Sequence, residues 1–112
     1  MNLVNLTPHE VKVFVGDEAI ATFPKAATPA RASQSATVVG EVNVEGHLIP
    51  IVSATFGDLQ DAPPEQDDTT YIVSLVAGQA MLASERTDFL LTYDPVRDDE
   101  GKIIGCRKFA RL

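Results

Sequence analysis

His9 follows Thr7 and Pro8 at the start of a strand-like run. An imidazole titrates near neutrality, so it can serve there as acid, base or hydrogen-bond donor to a phosphate. The same three residues also read as a capped bulge with His9 half-buried at a strand start. Arg31, Arg86 and Arg97 stand in apolar surroundings within an acidic chain, and a guanidinium grips a carboxylate or phosphate with two parallel hydrogen bonds. Because Asp88 follows Arg86 and Asp98 follows Arg97, these arginines also read as internal ion pairs fixing a helix exit and a hairpin. Ser74 sits between a strand-like and a helix-like run, where a hydroxyl caps the helix. Thr7, His9, Arg31, Ser74, Arg86 and Arg97 form the candidate ligand-binding set, and its chemistry is that of holding a small anion.

Signals for catalysis are sparse, and the chain reads as a non-enzyme. Cys106 has Arg107 and Lys108 beside it, as an activated thiolate would, but Ile103, Ile104 and Phe109 mark its strand as core. Asp58, Asp61, Asp67 and Asp68 lack the spacing of a calcium loop and read as a solvated segment, and His9 and His47 lack metal-ligand spacing. No metal and no cofactor is expected. Glycine-rich phosphate loops, dinucleotide fingerprints, nucleophile elbows and paired zinc ligands are all missing from the sequence. A hydrolase using His9 with Asp88 or Asp98 is the remaining catalytic alternative.

The elements that must position these residues follow from hydrophobic period and turn chemistry. Tyr71-Ile72-Val73 reads as a strand, Leu75 to Glu85 as a helix of about three turns, and Phe89 to Tyr93 as a second strand. Gly78 costs that helix about 1 kcal/mol against Ala, and it would let the helix lie close to a sheet. Asp94-Pro95 reads as a turn, and Asp98-Asp99-Glu100-Gly101 as the tip of a hairpin continuing through Lys102 to Cys106. Upstream, Asn2 to Leu6 and Glu10 to Val15 alternate, and Ala19 to Phe23 returns across a turn at Gly16-Asp17-Glu18. Lys25 to Ser35 reads as a loop. Ala36 to Val44 and His47 to Phe56 pair across Glu45-Gly46, with Pro50 marking an edge or bulge. Gly57 to Thr70, with Pro63-Pro64, reads as a long loop. Seven to nine short strands and one helix near residues 75–85 give an α+β fold, mainly antiparallel sheet and open to partial rolling.

At 112 residues the chain fits one domain, residues 1–112, and its 45% hydrophobic and 22% charged content is that of a globular protein. A formal net charge of −7 argues against binding a nucleic-acid polymer, whose affinity comes from cations displacing counterions. The acidity itself reads as a solubility device. No apolar run is long enough to cross a bilayer and no signal peptide is visible, so no membrane association and a cytoplasmic location are expected. A single cysteine agrees with a reducing compartment.

With N-L-T-P-H at residues 5 to 9, Tyr71-Ile72-Val73-Ser74, Arg86-x-Asp88 and the run from Val96-Arg97-Asp98 to Ile103-Ile104-Gly105-Cys106-Arg107, the chain resembles a group of small proteins of phages, prophages and actinobacteria. That resemblance implies a phage-associated accessory protein acting in the host cytoplasm, and carries over no catalytic residue. Two functions fit. One is a homo-oligomeric binding protein that sequesters a small anionic nucleotide-derived signal between subunits to counter host defence. The other is a protein-interaction or virion accessory module that binds a protein partner through a sheet edge.

Overall fold

A computed structural model describes residues 2–112. Eight strands and one helix follow in the order β1 (Asn2–Asn5), β2 (Val11–Val15), β3 (Glu18–Phe23), β4 (Arg31–Val44), β5 (His47–Gln60), β6 (Thr69–Ile72), α1 (Leu75–Ala83), β7 (Phe89–Arg97) and β8 (Ile103–Ala110). Six strands form a nearly closed, barrel-like sheet in the order β1-β6-β7-β8-β2-β3, and β4 and β5 form a separate two-stranded arm. The molecule is β-dominated with one short helix, as the α+β reading expects.

Antiparallel ladders hold most of the paired residues, as expected, but parallel pairings join them. β1–β6, β6–β7 and β8–β2 are parallel, whereas β7–β8, β2–β3 and β4–β5 are antiparallel. The unit β6-α1-β7 is therefore a single parallel crossover. Local patterns report that a strand exists, but parallel pairing is chosen by distant segments, and only the hairpins carry a local signature.

Period-2 alternation in β6 sends its side chains to two different cores. Tyr71 and Val73 pack with Leu6, Ala30, Ala77, Met81 and Phe89 under the helix, while Ile72 packs with Val11 and Cys106 inside the barrel. Gly78 sets the helix–sheet distance, because a Cβ there would stand 3.0 Å from Leu91 Cδ2 and 3.1 Å from Phe89 Cε2. The close approach anticipated for this glycine is thus realised.

The helix ends at Ala83, two residues short of the expected Glu85. Glu85 takes φ 63°, its N–H donates to Leu82 O (3.0 Å), and Arg86 N–H donates to Met81 O (2.8 Å). These two bonds make a Schellman stop with glutamate at the position that glycine usually fills. The expected turn at Asp94-Pro95 is instead interior to β7. β6 ends at Ile72, opposite Leu90, so beyond that point β7 has only β8 beside it and Pro95 can lie on an edge without breaking a ladder. β4 and β5 are also longer than expected, taking in Arg31 to Ser35 and Gly57 to Gln60, segments that sequence alone reads as loop.

Candidate functional site

Asn5, at the end of β1, organises the seam of the barrel. Its Nδ2 donates to His9 O (2.7 Å), Pro24 O (3.0 Å) and Phe23 O (3.4 Å), so one amide links β1, the Thr7-Pro8-His9 loop and the end of β3. Its Oδ1 accepts from Thr7 N (2.9 Å) and from the Thr7 hydroxyl (2.7 Å), which also lies 2.9 Å from His9 O. Asn5 and Thr7 are both buried. Thr7 has one hydroxyl proton and two internal acceptors for it, so its role is to hold the loop.

This loop forms one wall of an open cleft of about 1210 Å³. The N-terminus of α1 and the β7–β8 hairpin form the others. Four members of the candidate set line it: Thr7, His9, Ser74 and Arg97. Ser74 Oγ accepts from Ala77 N (3.3 Å), the cap expected of it, and the helix thereby directs its positive dipole end at the cleft. Lys12 and Lys102 also line the space, with Glu10 as its one carboxylate, and Leu75, Leu91, Ile103 and Ile104 give it apolar walls.

The two Arg-Asp neighbourhoods, alike in sequence, are wired oppositely. Arg86 makes a bidentate pair with Asp88, Nε to Oδ1 at 3.0 Å and Nη2 to Oδ2 at 2.7 Å, and its Nη1 donates to Pro63 O (2.8 Å). The guanidinium carbon also lies 5.9 Å from the centre of the Tyr71 ring. Both side chains are nearly buried, at 13% and 14% exposure. The hydrogen bond from Arg86 holds the Asp88 carboxyl below its ordinary range against the opposing effect of burial, and the same bond raises Arg86. Arg86 is therefore a structural clamp on the Pro63-Pro64 loop and lies outside the cleft.

Asp98, by contrast, is spent on its own turn. Its Oδ1 accepts from Glu100 N and Lys102 N, each at 2.9 Å, and Gly101 takes φ 81° to close the loop. Arg97 donates to Gly101 O (2.9 Å), and among the described residues no acid pairs with Arg97 or Lys102. Both cations are exposed at the cleft. Arg31 lies elsewhere, at the root of the arm, within 3.2 Å of Asp61 and open to solvent.

Cys106 is 2% exposed in the barrel core, and burial pushes its thiol up, away from the thiolate that nucleophilic chemistry needs. No hydrogen bond joins the His9 ring to another side chain among the described residues, so the oriented acid–base pair of a hydrolase is not assembled. No group of three or more metal-ligating side chains occurs among the described residues. The helix is not long and apolar enough to cross a membrane. The arrangement can bind and orient an anion with an apolar body.

Sequence reading missed Lys12 and Lys102. Lys12 alternates with the inward Val11 and Val13 of β2, and Lys102 lies between the Gly101 turn and the start of β8; the parallel β2–β8 pairing brings these distant segments together. No protein-family model, curated protein or solved structure matches this chain.

Proposed function

We propose that this chain is a non-enzymatic binding protein that sequesters a small anionic, nucleotide-derived signal in the cleft between the Thr7–His9 loop, the start of α1 and the β7–β8 hairpin. The observation that carries the reading is a local excess of positive charge in a chain of net charge −7. Arg97, Lys102 and Lys12 converge on one apolar-walled space whose only carboxylate is Glu10. Phosphates would meet the cations and the capped helix end, and a base or ribose the aliphatic wall of Leu75, Leu91, Ile103 and Ile104. The resemblance of the N-L-T-P-H and V-R-D segments to phage proteins supplies the setting, host cytoplasm, and the purpose, countering a nucleotide-based defence.

Calorimetric titration with ADP-ribose and with a cyclic dinucleotide tests this, together with mass spectrometry of any nucleotide released on heating. Binding of at least one, weakened tenfold or more by Arg97→Ala with Lys102→Ala at unchanged melting temperature, is the expected result. Silence across both probes and no released nucleotide would remove the reading. A second reading, a module that binds protein through a sheet edge, is favoured by one feature, the unpaired arm.

A further inference from the structure

Arg86 and Arg97 hold the backbone in the same way and differ in what their second edge meets. In each, Nη1 donates to a carbonyl, Pro63 O at 2.8 Å and Gly101 O at 2.9 Å. The Nε and Nη2 donors of Arg86 then grip both oxygens of Asp88. Nε and Nη2 of Arg97 make no hydrogen bond within the chain among the described residues, and Arg97 lines the cleft together with Lys102. Arg86 thus displays what the matching edge of Arg97 is shaped to grip: an anion with two oxygens side by side, as a phosphate offers.

Glu10 faces these cations across the cleft. Arg97 on β7 pairs with Ile103 on β8, and counting back three residues from the Val13–Cys106 pair puts Glu10 level with Ile103. Neighbouring strands lie about 4.8 Å apart, so the backbones at Arg97 and Glu10 are roughly 10 Å apart with Ile103 between them. The Glu10 carboxylate accepts no hydrogen bond among the described residues. Its partner is Lys12 Nζ at 3.8 Å, longer than a hydrogen bond, with the two side chains 55% and 42% exposed. So open a pair contributes little to stability, and both carboxylate oxygens keep their capacity to accept.

We propose that Glu10 is the specificity-determining residue of this cleft, accepting the 2′-hydroxyl of a base-bearing ribose while Arg97 and Lys102 hold the adjoining phosphates. The ligand class is then a ribonucleotide with a free 2′-hydroxyl. This rests on the ligand reading above and adds to it the group that reads the sugar. A carboxylate beside a phosphate site separates ribose from its analogues in two ways: it takes a charge-assisted hydrogen bond from the hydroxyl, and it repels a phosphate at the same atom. The charge count agrees. Lys12 is offset by Glu10, which leaves Arg97 and Lys102 for two phosphate charges, and a further phosphate meets Glu10. Ile103, between the two ends, lies under the sugar and base.

Calorimetric titration of the full chain with ADP-ribose, with its adenosine 2′-deoxy analogue and with its adenosine 2′-phosphate tests the assignment. The wild type is expected to bind ADP-ribose at least about tenfold more tightly than either analogue. Glu10→Gln keeps an acceptor and removes the charge. It should bring the 2′-phosphate to within about threefold of ADP-ribose at unchanged melting temperature. Raising salt from about 50 mM to about 500 mM should likewise weaken the wild type's rejection of the 2′-phosphate, since Glu10 acts through a screened charge. Equal binding of all three by the wild type overturns the assignment without any variant, as does a rejection that neither salt nor Glu10→Gln changes; in both cases ADP-ribose still binds and the ligand reading stands. No binding of any of the three overturns the assignment too, and the ligand reading then stands or falls on the cyclic dinucleotide.

Discussion

The barrel and the arm are made from the same kinds of residues and end in opposite environments. Tyr71 and Ile72 in β6 are 1% and 0% exposed, whereas Ile51 and Val52 in β5 are 45% and 49% exposed. β6 has a parallel neighbour on each side and a helix over one face, while β5 has one neighbour and, beyond the root where Leu59 packs under the helix, no layer. β-branched alternation therefore selects an extended backbone, and burial is decided by what the rest of the chain brings to each face. In the barrel that supply is internal. Beyond the root of the arm, the described residues supply none.

The comparison breaks most sharply at glycine. A Cβ at Gly105 would stand 2.5 Å from both Lys12 O and Phe14 Cε2, where β8 lies against β2, so Gly105→Val should cost at least about 3 kcal/mol and lower the melting temperature by roughly 10 °C or more. The same change at Gly40 in the arm meets nothing within 4 Å and should move it by less than about 2 °C. Thermal and urea unfolding of the pair is the check; equal losses would mean the arm is as tightly packed as the body.

Ion pairs should divide the same way. Arg86→Met leaves the nearly buried Asp88 carboxylate without its partner and should cost about 3 kcal/mol. Arg31→Met removes a solvent-exposed pair at the arm root and should cost less than about 1 kcal/mol in the same urea titration.

Acidification should sharpen this. Asp88 has its folded pKa depressed, so its contribution is complete above the ordinary carboxylate value and is lost as pH falls through the lowered folded value. Stability should decline from about pH 4 downward, and Asp88→Asn should flatten that limb while lowering stability at pH 7. Cys106 acts at the other end: its folded pKa is raised, so its contribution is full below the ordinary thiol value of 9.0 and fades as pH rises beyond it. Cys106→Ser should remove the alkaline decline while lowering stability at every pH, because it sets a hydroxyl in the apolar barrel core. One small effect should be a gain: Glu85→Gly relieves a φ of 63° at the helix stop and should stabilise by about 0.5–1 kcal/mol, read as a rise of a few degrees in melting temperature.

Much of the fold was legible, because its signals are local. The two-residue turn at Glu45-Gly46, with φ values of 50° and 86°, the Gly16 and Gly101 turns, the Ser74 cap and the close approach at Gly78 each depend on residues within a few positions. The site was legible in part. Thr7, His9, Ser74 and Arg97 reach one cleft, while Arg86 and Arg31 are taken by Asp88 and Asp61. Arg86-x-Asp88 and Arg97-Asp98 differ by one residue of spacing, and only the turn geometry around Gly101 draws Asp98 away from its neighbour.

The sequence by itself determined where the chain is extended, where it turns, the helix start and the acidic balance, since these follow from propensity, φ preference and counting. Tertiary structure alone decided that β6, β7 and β1 run parallel, that Lys12 and Lys102 join Arg97, and that β4 and β5 extend from an anchored root as an arm. The physical reason is that these outcomes depend on contacts between segments far apart in the chain. Their free energy is realised only when the remote partner arrives, and no local pattern encodes that arrival.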